Sequence, residues 1–478
     1  MTHSVEENIA YLKEILKDVS DIVYREFYIK DKKAALIYID GLADKALLND
    51  FVLETVLENK REISKVDEIK DKLLSVTDIK EVKKLSEAVN GMLSGDTVMF
   101  IDTMDVCYVI ASRAWPNRGV SEPSGETVVK GPREGFTETI RFNTVLVRRR
   151  IRDTRLKVKP KSLGVRSKTD VFVMYIDDIV NKSALDEVMK RIDTINIDAV
   201  LDSSYIEQLI EDNKWSPFPQ IQASERPDVV AAALYEGRIA IFVDCSPFVL
   251  IVPATLPNLF QSPDDYNQRW MHASIVRLIR LFAIMISLVL PALYVAVTSF
   301  HTAIIPTKLA LSIAASREGV PFPAYVETII MEVSMALLME SIVRLPKPIG
   351  STIGIVGGLI VGQAAVSAGI VSPIMIIIVG LTVITNFITP NYEVTSAFRL
   401  VRFLLIIAAS IIGLYGIMLG LIVLLIHLAS LNSFGIPYLS PTVNTDTSDI
   451  KDLYVRFPFR YFKYRPKYMH TGDKIRQK

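Results

Sequence analysis

The sequence predicts a membrane protein in two parts: a soluble α/β (α+β) N-terminal half followed by a polytopic α-helical transmembrane bundle. Three observations carry that expectation. Charged residues are frequent up to about Gln261 and sparse from Leu278 to Leu431. The sparse stretch holds five apolar runs, against the about 20 mainly apolar residues a spanning helix needs. Before it, short apolar strands alternate with helical patterns, the order expected of a domain that layers helices on a sheet. The expected divisions are an N-terminal helical segment (1–90), a soluble α/β region (91–265, with subdomains of about 91–165 and 166–265), a helical bundle (275–431) and a basic tail (432–478).

Taken in order, Ile9, Leu12, Ile15, Leu16 and Val19 follow helical spacing, as do Leu47, Phe51 and Leu57. Between them Ala34–Ile39 reads as a short strand. Thr97–Asp102 and Val106–Ser112, around Thr103-Met104-Asp105, read as a hairpin. Gly119–Gly135, rich in Gly, Pro, Ser and Glu, is a loop, and a helix is expected over Phe136–Arg152. Val171–Ile176, Arg238–Asp244 and Phe248–Val252 are strands, separated by helical patterns at Ala184–Ile195, Ser203–Asp212 and Val229–Tyr235. No internal sequence repeat stands out.

The apolar runs are Leu281–Phe300, Ala324–Val343, Thr352–Val371, Pro373–Ile388 and Val401–Leu431, with His301–Gly319 expected at an interface because it carries Lys308 and Arg317. Arg269, Arg277 and Arg280 place the N-terminal half inside. Five crossings then keep Arg344 and Lys347, and Arg399 and Arg402, inside, but put the tail with Arg456, Arg460, Lys463, Arg465 and Lys467 outside. The charge pattern leaves the number of crossings open.

A net charge of +1 gives no argument for a nucleic-acid partner. Cys107 and Cys245 are expected to pack as small hydrophobes rather than form a disulfide, and Met1–Asp21 lacks the apolar core of a secretory signal. There is no phosphate-binding loop, dinucleotide fingerprint or His-Glu-x-x-His, and the five histidines lack ligand spacing. The expectation is therefore no catalysis, no metal and no cofactor.

Two constellations stand out in the apolar half. Gly354, Gly358 and Gly362 recur every four residues and continue as Ala365 and Gly369, a small-residue stripe that lets helices pack closely. A second face carries Thr352, Val356, Leu359, Gln363 and Val366. In a ring of subunits that face would line a pore with a hydrophobic constriction; in a lone chain it is an ordinary packed helix. Glu327 and Glu332 are costly in hydrocarbon unless they face a partner or a water-filled cavity, where both would attract cations. Glu332 reads either as a cation-attracting carboxylate or as one half of a pair with Lys308, Arg277 or Arg280, while Glu340 precedes Arg344 by four residues as in a local ion pair. The basic run Arg148–Arg150, Arg152, Arg155, Lys157, Lys159 and Lys161 reads as solvated surface or as a contact for anionic headgroups.

Several stretches resemble the GerA family of spore germination proteins, specifically the A subunit of germinant receptors. They include Ser121-Glu122-Pro123, Val128–Phe136, Asn143, Glu211–Lys214 with Ser216–Gln220, Glu225-Arg226-Pro227, Gly237-Arg238 with Asp244, Ser246-Pro247-Phe248, and Gln261–Tyr266. In the apolar half Arg317-Glu318, Val320–Pro323, Met331-Glu332, Arg344–Pro346 and the run from Thr352 to Val366 continue the pattern. The resemblance spans roughly Gly91 to Pro441. It implies a complex in the inner membrane of a bacterial endospore, with the N-terminal half on the cytoplasmic (core) side, alongside a transporter-like B subunit and a lipoprotein C subunit. It also implies a ring-shaped, ligand-gated cation channel, expected to be a pentamer lined by the Gly-rich helix. A paralogous A-like channel of the spore membrane would look similar. A non-conducting scaffold and a secondary transporter are the competing readings, the latter weakened by the lack of inverted repeats.

Overall fold

The computed structural model describes residues 2–17, 19–29, 32–54, 79–113, 122–123, 125–343, 358, 362–443 and 449–477. It divides into two compact units. The first comprises Met1–Lys214, Ile221–Ala254 and Phe462–Lys478, and the second Trp215–Gln220 and Thr255–Tyr461.

The first unit holds two five-stranded antiparallel sheets. The first sheet is built from β1 (Ile22–Ile29), β2 (Lys32–Ile39), β3 (Ile79–Val82), β4 (Thr97–Ile101) and β5 (Cys107–Ile110), in the order β1-β2-β4-β5-β3. The second is built from β6 (Leu156–Leu163), β7 (Thr169–Ile176), β8 (Gln222–Ser224), β9 (Ile239–Val243) and β10 (Val249–Val252), in the order β6-β7-β9-β10-β8. The two orders are the same connectivity used twice. A helix precedes each sheet, α1 (Val5–Ile15) and α3 (Ile140–Arg148). Another joins the third strand to the fourth, α2 (Leu85–Leu93) and α6 (Pro227–Tyr235). A structural repeat is thus present where the sequence displays none. Between its second and third strands the second copy carries α4 (Lys182–Asp193) and α5 (Ser203–Ile210), capped by Asn181 and Asp202.

The local sequence accounts for these elements. The centre of β2, Ala34–Ile37, is apolar at every position and fully buried, as a central strand between two neighbours must be. In β6, Leu156 and Val158 point inward while Lys157, Lys159 and Lys161 alternate outward, and Pro160 is tolerated because the strand is an edge.

Several expectations need correction. Residues 1–90 are not a helical segment: three strands of the first sheet lie there, and position 90 falls inside α2. The expected division near 165 separates β6 from β7, which pair in register from Leu156↔Ile176 to Leu163↔Thr169. The change from one sheet to the other occurs instead between β5 and α3. Cys107 is buried in β5, but Cys245 is exposed in a left-handed turn (φ 66°) rather than packed. The tail is also not one piece. Phe462–Lys478 belongs to the first unit, where Gly472 and Asp473 donate their amides to Ile179 and Asp178 and Arg465 donates to the Tyr235 carbonyl.

The second unit is helical: α7 (Trp270–Ser299), α8 (Thr307–Arg317), α9 (Ala324–Val343), α10 (Pro373–Asn386) and α11 (Tyr392–Ser430). Two described helices, α7 and α11, are long and apolar enough to cross a membrane. α11, however, is not one continuous helix. Ile412 (φ −131°, ψ 17°) and Gly413 (φ 60°, ψ −138°) break it. A Cβ on Gly416 would lie 2.2 Å from the Ala408 carbonyl oxygen, and one on Gly420 would lie 2.4 Å from Leu405. In a straight helix those pairs would be separated by about 12 and 22 Å of axial rise. The chain therefore folds back at 412–413 into a tight hairpin of two arms, 392–411 and 414–430.

Candidate functional site

The site assembles where α7, α9, α10 and α11 meet the Gly-rich run. Among the residues expected to line a pore, Thr352, Val356 and Leu359 lie outside the described residues, as does Gly354 of the stripe. Gln363 is exposed and Val366 half-buried. Gly358 is helical with open space where a Cβ would go, whereas Gly362 is buried and a Cβ there would meet Ile376 at 3.8 Å. Ala365 and Val366 pack against the main apolar cluster of the unit.

Gly369 departs from the stripe reading. It stands past the end of the helix in a left-handed conformation (φ 66°). The Gly369 amide donates to Val366 and the Ile370 amide to Ala365, the paired bonds of a Schellman cap. The four-residue spacing continues here for a different reason: this glycine stops the helix, and a Cβ on it would sit 3.1 Å from the Gly319 carbonyl. Three residues on, Ser372 caps α10, with Pro373 at the first helical position.

The two glutamates are also not free to attract cations. Glu332 and Arg402 form an ion pair at 3.0 Å, with side chains only 4% and 3% exposed. Arg402 also donates to the Ser287 hydroxyl (2.9 Å) and to Asn386 Oδ1 (3.3 Å), and Ser287 donates to Asn386 (2.7 Å). Four helices meet at that junction. Glu327 accepts from both the amide and the hydroxyl of Ser372 (2.6 Å each) and lies 3.6 Å from Arg317. Its negative charge thus completes the amino-terminal cap of α10. Arg277 and Arg280, two of the partners considered for Glu332, instead grip Asp265, and Arg277 also reaches Asp452.

Sequence reasoning missed Arg402 as the partner of Glu332, having used it only as a topology marker. The signal was present, since Arg402 falls within the apolar run Val401–Leu431, where a charge is expected to have a partner. Ser287 and Asn386 carried no comparable signal.

The soluble motifs turn out to be staples. Arg226 is fully buried and donates to the carbonyls of Glu126 and Pro132 and to Asp228. Asn143 ties the amide, hydroxyl and carbonyl of Thr137, Asp244 accepts from the Ile140 amide, and Arg238 donates to the Pro253 carbonyl. Glu126 accepts from the Ser224 hydroxyl at 2.7 Å. Burial raises its carboxyl to about 7, outweighing the opposing pull of Ser224 and Arg226. Burial likewise pushes the Cys107 thiol up to about 12. The basic run is largely consumed internally: Arg148 pairs with buried Asp21, Arg149 and Arg150 with Glu134, Arg155 with Asp153, and Lys161 with Asp193.

A soluble unit of two repeated α+β sheets, joined in one chain to an apolar helical unit locked by buried ion pairs, defines the class. The chain belongs to the GerA spore germination family: the family described as Bacillus/Clostridium GerA spore germination protein matches residues 10–468. Spore germination protein GerLA of Bacillus cereus is 41% identical over 97% of this chain and 96% of that protein. The uncharacterized membrane protein YfkQ of Bacillus subtilis (strain 168) is 41% identical over 98% and 92%. Among solved structures, the N-terminal domain of the A subunit of the Bacillus megaterium spore germinant receptor GerK3 is 33% identical, over 54% of this chain and 97% of that one, with a TM-score of 0.43.

Proposed function

We propose that this chain is the A subunit of a germinant receptor of the spore inner membrane, working with B-type transporter-like and C-type lipoprotein subunits. In this reading it crosses the bilayer several times, assembles as a ring, expected to be a pentamer, and opens a cation pathway without any catalytic step. Family membership supports the germination role, and a relative described as a membrane protein supports the location.

The single observation that carries the membrane reading is the surface of the helical unit. Phe282, Met285, Leu404, Ile407, Ile411 and Ile422 are exposed along α7 and α11, an apolar belt that water would penalise. Exposed aromatics gather at its ends: Trp270 at the start of α7, Phe300 at its end, and Tyr415 beside the hairpin tip.

The hairpin also supports a topology that brings the basic tail inside. Splitting the fifth apolar run at 412–413 turns the five apolar runs of the sequence into six segments, and in this reading each is one crossing. Both chain ends then share one side, in keeping with a tail that packs in the same unit as the N-terminal residues. The basic tail then lies on the same side as Arg269, Arg277 and Arg280, and Arg399, near the start of the first arm, lies on that side too.

For conduction, the supporting feature is Gln363, an exposed amide in a run of mostly apolar and small residues, which calls for water or a second copy of the chain. Packing of Gly362 and Ala365 within the same protomer favours the rival reading, a non-conducting scaffold. Potassium flux from liposomes holding the purified chain separates them. Leu359→Ala should widen the constriction and raise flux, and Gly358→Cys should cross-link identical subunits. Flux no greater than that of the unaltered chain, with no cross-linked ladder, would leave only the scaffold.

A further inference from the structure

We propose that Tyr454–Tyr461 is an interfacial anchor that seats the helical unit in the headgroup layer of an anionic phospholipid bilayer. The proposal rests on the membrane reading above and adds a surface, a partner and a depth to it. The segment is pinned against the first turns of α7. The Arg456 amide donates to the Ser274 hydroxyl at 3.1 Å, and that hydroxyl lies 3.0 Å from the Arg456 carbonyl oxygen. The Arg456 side chain is buried, donates to the Gln268 carbonyl at 2.9 Å, and stacks over Phe459 at 4.3 Å. Just upstream, Asp452 accepts from Arg277 at 2.8 Å and from the Tyr266 hydroxyl at 2.7 Å.

A backbone held this firmly has no need to leave its rings in water, yet Phe457, Phe459 and Tyr461 are exposed, as is Trp270 on the adjoining helix end. Phe457 and Tyr461 meet edge to face with centroids 6.2 Å apart, so the rings form a patch rather than scattered side chains. Two of these rings, Trp270 and Tyr461, are amphipathic, and such rings at the end of a spanning helix belong at headgroup depth. The charge balance points the same way. Asp265 and Asp452 are taken up by Arg277 and Arg280, while Arg269 and Arg460 stay exposed. Among the described residues, the exposed charges adjoining Trp270 and Phe459 in sequence, Arg269 and Arg460, are cationic, and basic groups at this depth are drawn to anionic lipid.

The test uses the full chain with Cys245→Ser, so that an introduced thiol reacts while buried Cys107 does not. A fluorophore on Phe459→Cys is quenched by phospholipids brominated high on the acyl chain or by aqueous iodide, in phosphatidylglycerol-rich and in pure phosphatidylcholine vesicles. Phe282→Cys, exposed in the middle of α7, is the membrane control. Position 459 should be quenched by brominated lipid in the anionic vesicles. Its partition into lipid should fall roughly five-fold with Arg460→Gln, as about 1 kcal/mol per basic residue requires. Lipid quenching at 282 with only iodide quenching at 459 overturns the anchor and leaves the membrane reading standing. Equal lipid quenching at 459 in both vesicles, unmoved by Arg460→Gln, overturns the anionic partner. Absence of lipid quenching at 282 removes the membrane reading itself.

Discussion

Two glycine-bearing stretches of the helical unit share a four-residue rhythm and use it for different ends. In 358–369 the sequence advertises a stripe, yet a Cβ on Gly358 would meet open space, one on Gly362 would reach Ile376 only at ordinary contact distance (3.8 Å), and Gly369 is a helix stop. In 413–420 nothing drew attention to the glycines. Gly413 nevertheless makes the reversal, with His301 2.7 Å from where its Cβ would be, and Gly416 and Gly420 admit the opposing arm at distances no side chain tolerates. The lesson is that spacing identifies a face of small residues but not what the face meets. Only the partner surface decides whether a glycine is obligatory.

The sharpest way to break that comparison is substitution at the hairpin. Gly416→Leu sets a side chain against the Ala408 backbone, which cannot retreat without opening the hairpin. The expected loss exceeds about 5 kcal/mol, the range reserved for a disrupted core, and should appear as failure to recover monodisperse protein in detergent. Next comes the junction below the hairpin. Glu332→Gln alone leaves a buried guanidinium without its counter-charge and should cost about 3–5 kcal/mol. The double change Glu332→Leu with Arg402→Met should recover most of it, measured by thermal unfolding in detergent. If the single and double variants unfold alike, the pair is not what holds α9 to α11.

The soluble unit offers a contrasting carboxylate, half-buried and next to another acid. Burial raises the folded pKa of Glu126 to about 7, above the ordinary value of 4.5, so the native state binds more protons than the unfolded chain between those limits. Stability contributed by this group is therefore present below the unfolded value and lost as pH rises toward about 7. Glu126→Gln should flatten the fall in melting temperature across that window. The smallest effect is expected at the other glycine stretch. Gly358→Ala meets open space on a helix and should be neutral or stabilising by up to about 1 kcal/mol, which sets it directly against Gly416.

How much of this was legible follows from which signals are local. The β4–β5 hairpin, β7, β9, β10 and α3–α6 were readable because apolar runs and turn residues mark them in place, although the structure trims their ends. β6 was hidden because Lys157, Lys159 and Lys161 read as a charge run, when an edge strand with one wet face has that alternation. The first sheet was obscured because β1 interrupts its apolar residues with Arg25-Glu26, and because its closing strand β3 lies far from β1 and β2 in sequence. In the helical unit the apolar runs were plain. The reversal at 412–413 was not, since Ile-Ile-Gly-Leu inside an apolar stretch carries no polar turn residue. The roles of Glu327 and Glu332 depended on Ser372 and Arg402, contacts across 45 and 70 positions that no spacing rule reaches.

The central claim is that copies of the Gly-rich helix enclose a water-filled path past Gln363. The most direct measurement is thiol block of flux: Gln363→Cys in a Cys245→Ser background, reconstituted in liposomes loaded with potassium. Addition of a charged methanethiosulfonate should reduce flux sharply, with a cationic reagent blocking more than an anionic one of similar size and the chain that keeps Gln363 unaffected. If the thiol at position 363 reacts completely while flux is unchanged, that residue does not line the path and the ring reading is contradicted.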